Sequence, residues 1–126
     1  MVKLRLTWSQ IFNNQRSSLL PVLLSETPPD AAKISEAMRD RMHQPYRQLL
    51  VPGLAEVLDN LRPSSHPGLL GICLSGAGPT ILALATHNFE AIAQAIIAIL
   101  KRAQDIQCQW QVLQPAEGGA MVERVG

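Results

Sequence analysis

The sequence predicts an α+β fold, with antiparallel strands and helices segregated beside them. Three observations lead there. Two apolar runs, Leu69 to Leu74 and Ile81 to Ala85, frame a loop of small residues, the pattern of two strands joined by a tight connection. Apolar residues recur at helical spacing before and after that pair. Residues 107–113 then alternate polar and apolar side chains, the signature of a half-exposed strand.

The chain has 126 residues, enough for one domain with a real core, and its 47 % hydrophobic content fits a folded protein rather than a disordered one. Net charge is +1 with no basic stripe, and aromatics are few, which argues against a nucleic-acid surface. Cys73 and Cys108 lack CxxC spacing and sit in strand-like surroundings, so they read as reduced buried thiols. His43, His66 and His87 show no zinc-ligand spacing, so no metal site is expected. The longest apolar run, residues 95–100, is too short to cross a bilayer, and the opening residues are too short in apolar length for a signal peptide. The default expectation is a cytoplasmic chain with neither a membrane nor a nucleic-acid partner.

In chain order, residues 1–8 carry little information. Residues 9–25 read as one or two helical segments, with Ser9 able to cap and Pro21 interrupting the pattern. Thr27-Pro28-Pro29-Asp30 is a helix-start signal, with Thr27 as its hydroxyl cap, and that helix should run through Ile34, Met38 and Met42 and end before Pro45. Asp40 falls in its last turn, where an ion pair with Arg39 or Arg41 is expected. Pro52-Gly53 starts a third helix with Leu54, Val57, Leu58 and Leu61 inward. Residues 62–68 are a loop by composition, and the two strands follow. Asn88 should cap a long helix over residues 89–103, with Lys101 and Arg102 at its negative end. Residues 107–113 make a third strand, residues 114–119 a turn, and residues 120–125 a fourth strand.

The connection between the first two strands holds Ser75, Gly76, Ala77, Gly78, Pro79 and Thr80, with no large side chain. Such a loop leaves backbone amides open to an anion or to another backbone at close range. The same composition also suits a plain tight connection.

Two blocks carry a family resemblance. Leu74-Ser75-Gly76-Ala77-Gly78-Pro79-Thr80-Ile81-Leu82-Ala83-Leu84 resembles the third conserved motif of the GHMP kinase superfamily, in the form found in homoserine kinases. Asp40-Arg41-Met42-His43-Gln44-Pro45-Tyr46-Arg47, followed by Leu50-Val51-Pro52-Gly53, resembles those kinases' Asp-Arg-hydrophobic-His-Gln-Pro-Tyr-Arg…Pro-Gly segment. Ile11-Phe12-Asn13 with Arg16 is similar to a further hydrophobic-Phe-Asn…Arg segment, while Arg16 by itself reads as an exposed helix charge. The resemblance runs from about Gln10 to the end and covers only the C-terminal part of the family's length.

The resemblance implies a ferredoxin-like domain, an antiparallel four-stranded sheet with helices packed on one face. It divides the chain into an uninformative start, residues 1–8, and a GHMP kinase C-terminal domain, residues 9–126, with the N-terminal ATP-binding domain absent. Residues 1–7 are then expected to be a new start from a truncated gene or gene model, which in-frame coding sequence upstream of Met1 would settle. The implied reaction is ATP-dependent phosphorylation of L-homoserine to O-phospho-L-homoserine, a step toward threonine. ATP and Mg2+ are implied as well, with their site mostly outside this chain, since no Pro…Gly-Leu-Gly-Ser-Ser run occurs in it.

By residue, the resemblance implies that Arg47 binds the substrate carboxylate, for which a guanidinium is suited. His43 either lines the same pocket or is a hydrogen-bonded residue at a helix end. Ser75, Gly76, Ala77, Gly78, Pro79 and Thr80 would border the phosphates, and no catalytic residue is assigned. This chain alone is expected to be inactive. The alternative is a stand-alone ferredoxin-like module for small-ligand binding or self-association, where a flank exposed by loss of the other domain favours a homodimer.

Overall fold

In the computed structural model, residues 7–105, 107–116 and 118–123 are described. The element order is α1 (Trp8–Leu24), α2 (Ala31–Ala37), α3 (Gln44–Arg47), α4 (Leu54–Asn60), β1 (Leu69–Leu74), β2 (Ile81–Ala85) and α5 (Phe89–Gln104).

The two strands begin and end where the apolar runs do. They pair antiparallel, with Leu74 opposite Ile81 next to the loop, and the register slips between Leu69 and Gly71. The sheet has two strands among the described residues, not four. Residues 107–113 form no strand, although Cys108 packs against the core and Trp110 and Val112 line an open hollow together with the start of α5. Alternation shows that a segment suits a half-buried surface, but a strand also needs a partner edge. The expected fourth strand lies partly in residues 120–123, which are not in a strand, and partly outside the described residues.

The expectation of helices on one face is also corrected. Leu70, Cys73 and Leu84 pack against Leu23 of α1, Ile34 and Ala37 of α2, and Met38 just after it. Leu69, Ile72, Ile81, Ala83 and Ala85 join a cluster with Val57 and Leu61, at the end of α4, and Ile92, Ile99 and Leu100 of α5. Side chains alternate across a strand, so these clusters lie on opposite faces of the hairpin. Both strands are apolar at nearly every position, which is what burial on two faces requires. Close packing on one face depends on Gly71, where an added Cβ would overlap Met38 Sδ.

Helix boundaries follow caps that the residue pattern misplaced. Thr7, not Ser9, caps α1, and its side chain and backbone exchange hydrogen bonds with Gln10. Pro21 is accommodated within that helix. Asp30, not Thr27, caps α2 by accepting from the Lys33 N–H at 3.0 Å. Helix α2 stops at Met38, and Pro45 lies inside the first turn of the separate helix α3. Proline suits that position because its missing N–H has no helical partner there. Asn88 occupies the cap position of α5, but its side chain accepts no first-turn N–H and instead donates to the Pro67 carbonyl.

Candidate substrate-side site

Asp40 organises the region before the loop. Its carboxylate accepts from Asn13 Nδ2 at 2.5 Å, from the Met42 N–H at 2.6 Å, from the His43 N–H at 3.0 Å and from the Gln44 N–H at 2.7 Å. Burial pushes this carboxyl up, but the bonds from Asn13 and from the amides of Met42, Gln44 and His43 outweigh it and hold Asp40 below the usual carboxylate range. The expected ion pair with Arg39 or Arg41 is therefore corrected. Arg39 pairs with Glu36 at 3.2 Å, and the Arg41 N–H donates to Asn13 Oδ1 at 3.0 Å.

Arg16 is not a bare surface charge. Its guanidinium lies 3.3 Å from the Phe12 ring centroid, and that of Arg41 lies 3.9 Å from the same centroid. Arg16 also forms an ion pair with Glu36 and donates to the Glu36 carbonyl at 3.1 Å. It thus ties α1 to α2, and the pair holds the Glu36 carboxyl below its ordinary range.

His43 and Arg47 come together one turn apart, with Arg47 Nε donating to His43 Nε2 at 3.3 Å. Among the described residues no hydrogen bond joins either of them to residues 75–80. The link to the loop runs through Gln44, which stands in the Asp40–Arg47 block with no role expected from the sequence. Gln44 is 8 % exposed, and its Oε1 accepts from the Leu74 N–H at 2.7 Å. The signal available in advance was an amide side chain placed between His43 and Pro45, but its long-range partner is not readable from sequence.

The glycine loop closes through two backbone bonds, Ser75 N–H to the Thr80 carbonyl at 2.8 Å and Gly78 N–H to the Ser75 carbonyl at 3.0 Å. Gly76 and Gly78 have φ of +55° and +79°, which L side chains resist. A Cβ at Gly76 would meet open space, whereas one at Gly78 would lie 2.9 Å from Leu74 Cδ1. Among the described residues the Gly76 and Ala77 amides donate no hydrogen bond, and both residues are exposed, which leaves these N–H groups for an outside acceptor.

A cleft of about 180 Å³ opens nearby, lined by Asp40, Gln44, Gln48, Asp59, Arg62 and Ile72 among others. Neither His43, Arg47 nor the glycine loop lines it. Among the described residues no group of three or more His, Cys, Asp or Glu could hold a cation, and Asp40 is committed to Asn13 and backbone amides. These residues do not fit a Mg2+ site. Among the described residues no helix is long and apolar enough to cross a membrane.

The profile of the family described as GHMP kinases C terminal matches residues 19–111. A homoserine kinase of Saccharomyces cerevisiae is 55 % identical over 118 residues, covering 94 % of this chain and 33 % of the relative. One of Schizosaccharomyces pombe is 49 % identical over 113 residues, covering 90 % and 33 %. One of Aquifex aeolicus is 42 % identical over 113 residues, covering 89 % and 36 %. The chain thus spans about a third of the length of these curated relatives. No solved structure matches it. With the profile spanning most of its residues, the chain belongs to the GHMP kinases, and the part of them it holds is their C-terminal domain.

Proposed function

We propose that this chain is the C-terminal part of a homoserine kinase and supplies the substrate-side wall of its phosphorylation site. The observation that carries the reading is the bond that the Leu74 N–H donates to Gln44 Oε1, which fastens α3, with His43 at its start and Arg47 at its end, to the strand end that opens the glycine loop. The relatives that cover nearly the whole chain, all named homoserine kinases, support it.

In this reading the Arg47 guanidinium grips the homoserine carboxylate through parallel N–H bonds. His43 accepts from Arg47 Nε and so steadies the fork while the terminal nitrogens face substrate. The loop around Ser75, Gly76, Ala77, Gly78, Pro79 and Thr80 borders the phosphates, with the open Gly76 and Ala77 amides directed at anionic oxygens. The substrate hydroxyl oxygen bonds to the γ-phosphorus of ATP and gives up its proton to solvent, the bond to the β–γ bridging oxygen breaks, and ADP leaves. The protein's contribution to such a transfer is mainly positioning and charge stabilisation. ATP binds mostly outside these residues, and the described residues supply no metal-dependent step. The polypeptide alone is inactive in this reading and acts within a cytoplasmic step toward threonine.

The test combines calorimetry with a coupled ADP-release assay. L-Homoserine should bind the chain more tightly than ATP does, Arg47→Lys should weaken homoserine binding by about tenfold by losing the bidentate geometry, and the chain should show no turnover. Equal affinity of both proteins for homoserine would remove Arg47 from the site. Measurable turnover would overturn the inactivity.

The alternative, a self-associating module without catalysis, draws on the exposure of Tyr46 (71 %), Leu49 (81 %) and Leu50 (70 %) beside α3. Sedimentation would separate the two, since this alternative requires a concentration-dependent dimer and no homoserine binding.

A further inference from the structure

We propose that Gln44 is a positioning residue that sets the register between the His43–Arg47 face and the glycine loop. This rests on the substrate-side reading above and adds the element through which the two halves of that wall communicate.

The argument begins with the open edge of β1. Backbone donors in an antiparallel strand alternate between its two edges. The Ser75 N–H points to the β2 side and meets the Thr80 carbonyl at 2.8 Å. The Leu74 N–H therefore points the other way, to the edge that β2 does not cover. Leu74 is 7 % exposed, and an unpaired amide at such a site is unfavourable. Gln44, thirty residues earlier, supplies the acceptor at 2.7 Å. It is the buried polar side chain of the core among the described residues.

Gln44 is held at its other end as well, where its own N–H donates to Asp40 Oδ2 at 2.7 Å. Leu74 is likewise held twice. Its backbone is gripped by Gln44, and its side chain fills the space that a Cβ on Gly78 would need. A displacement of α3 therefore passes through Gln44 to Leu74, and through Leu74 to the loop. A leucine or methionine at position 44 would fill similar volume but leave the Leu74 amide without its partner, which is why an amide side chain stands there.

The test uses the 126-residue chain, labelled for amide NMR. Gln44→Met removes both polar atoms and should speed hydrogen exchange at the Leu74 amide by about tenfold relative to α5 amides. Gln44→Glu restores an acceptor oxygen and should return that rate to within about threefold of the parent. Titrated L-homoserine should move amides of both α3 and residues 75–80 in the parent, but only those of α3 in Q44M. Unchanged Leu74 exchange in Q44M, or equal loop shifts in both proteins, would overturn the proposal. Should homoserine move no amide in the parent, the substrate reading fails, and the exchange comparison, which needs no ligand, still decides the role of Gln44. An unfolded Q44M beside a folded Q44E supports the acceptor role, while two unfolded variants count against it.

Discussion

Replacing Asp40 by asparagine tests whether one carboxylate builds the start of α3. The parent side chain accepts from four donors, Asn13 Nδ2 and the amides of Met42, His43 and Gln44. Asparagine keeps one acceptor oxygen and turns the other position into a donor. With its oxygen at the Oδ1 site it abandons Gln44, and with its oxygen at the Oδ2 site it abandons Asn13 and Met42. Either orientation sets an NH2 group against an N–H and replaces charge-assisted bonds with neutral ones. Bonds to charged groups contribute about 1.5–3 kcal/mol and neutral ones about 0.5–1.5 kcal/mol. Partial exposure of the site trims the difference, and the expected loss is about 2–3 kcal/mol. That is a large share of a stability of about 5–15 kcal/mol. Urea unfolding at neutral pH should show it as a lower midpoint with unchanged slope.

The pH dependence supplies an internal control for the same variant. The folded-state pKa of Asp40 is lowered, so its contribution is fully present above the unfolded value of about 3.9 and is lost as pH falls through the folded value. The gap between parent and D40N should therefore be constant from neutral pH to about pH 5 and close in stronger acid. A gap below about 0.5 kcal/mol at neutral pH, within the ordinary range of surface substitutions, would refute the claim that this carboxylate holds α3.

Three further outcomes follow from the packing and the loop. Ile34→Ala, at a fully buried site between α2 and the hairpin, should lower stability by about 2–5 kcal/mol, while Leu49→Ala, at an 81 % exposed site, should stay within about 0.5 kcal/mol; thermal melts rank the two. Gly76→Ala should lose about 1–2 kcal/mol through its left-handed backbone alone, and Gly78→Ala should lose at least about 1 kcal/mol more by overlapping Leu74; equal losses in urea would refute the contact with Leu74. In an intact kinase assembled with this domain, Gly78→Val should sharply lower turnover while circular dichroism remains folded, and unchanged turnover would remove the loop from the phosphate side.

Much of the architecture was legible because it rests on local patterns. The hairpin announced itself through two apolar runs around a glycine loop, whereas its helices on both faces overturn the one-face arrangement expected for it, and the absence of polar residues in either strand is the physical reason. Helix α5 was visible in its apolar spacing and ends one residue beyond expectation. The misreadings share one cause, which is competition among local capping groups or a partner far away in sequence. The helix expected to reach Met42 stops at Met38, and Asp40 then starts a new turn by collecting three amides. The alternation of residues 107–113 describes a surface preference, and no composition reveals whether a neighbouring edge is there to meet it. For the site, His43 and Arg47 were named from their block, whereas Gln44 and Asn13 act through contacts spanning 30 and 27 residues.

The seat of Met38 on Gly71 gives the domain an uneven response to oxidants. A thioether that becomes a sulfoxide gains a polar oxygen, and the sulfur of Met38 already fills the gap over the strand backbone. Such damage would pry α2 from the hairpin and reach the network behind Asp40. Met42 is 44 % exposed against 9 % for Met38, so peroxide would meet the outer methionine first and leave the inner one shielded until the domain begins to open.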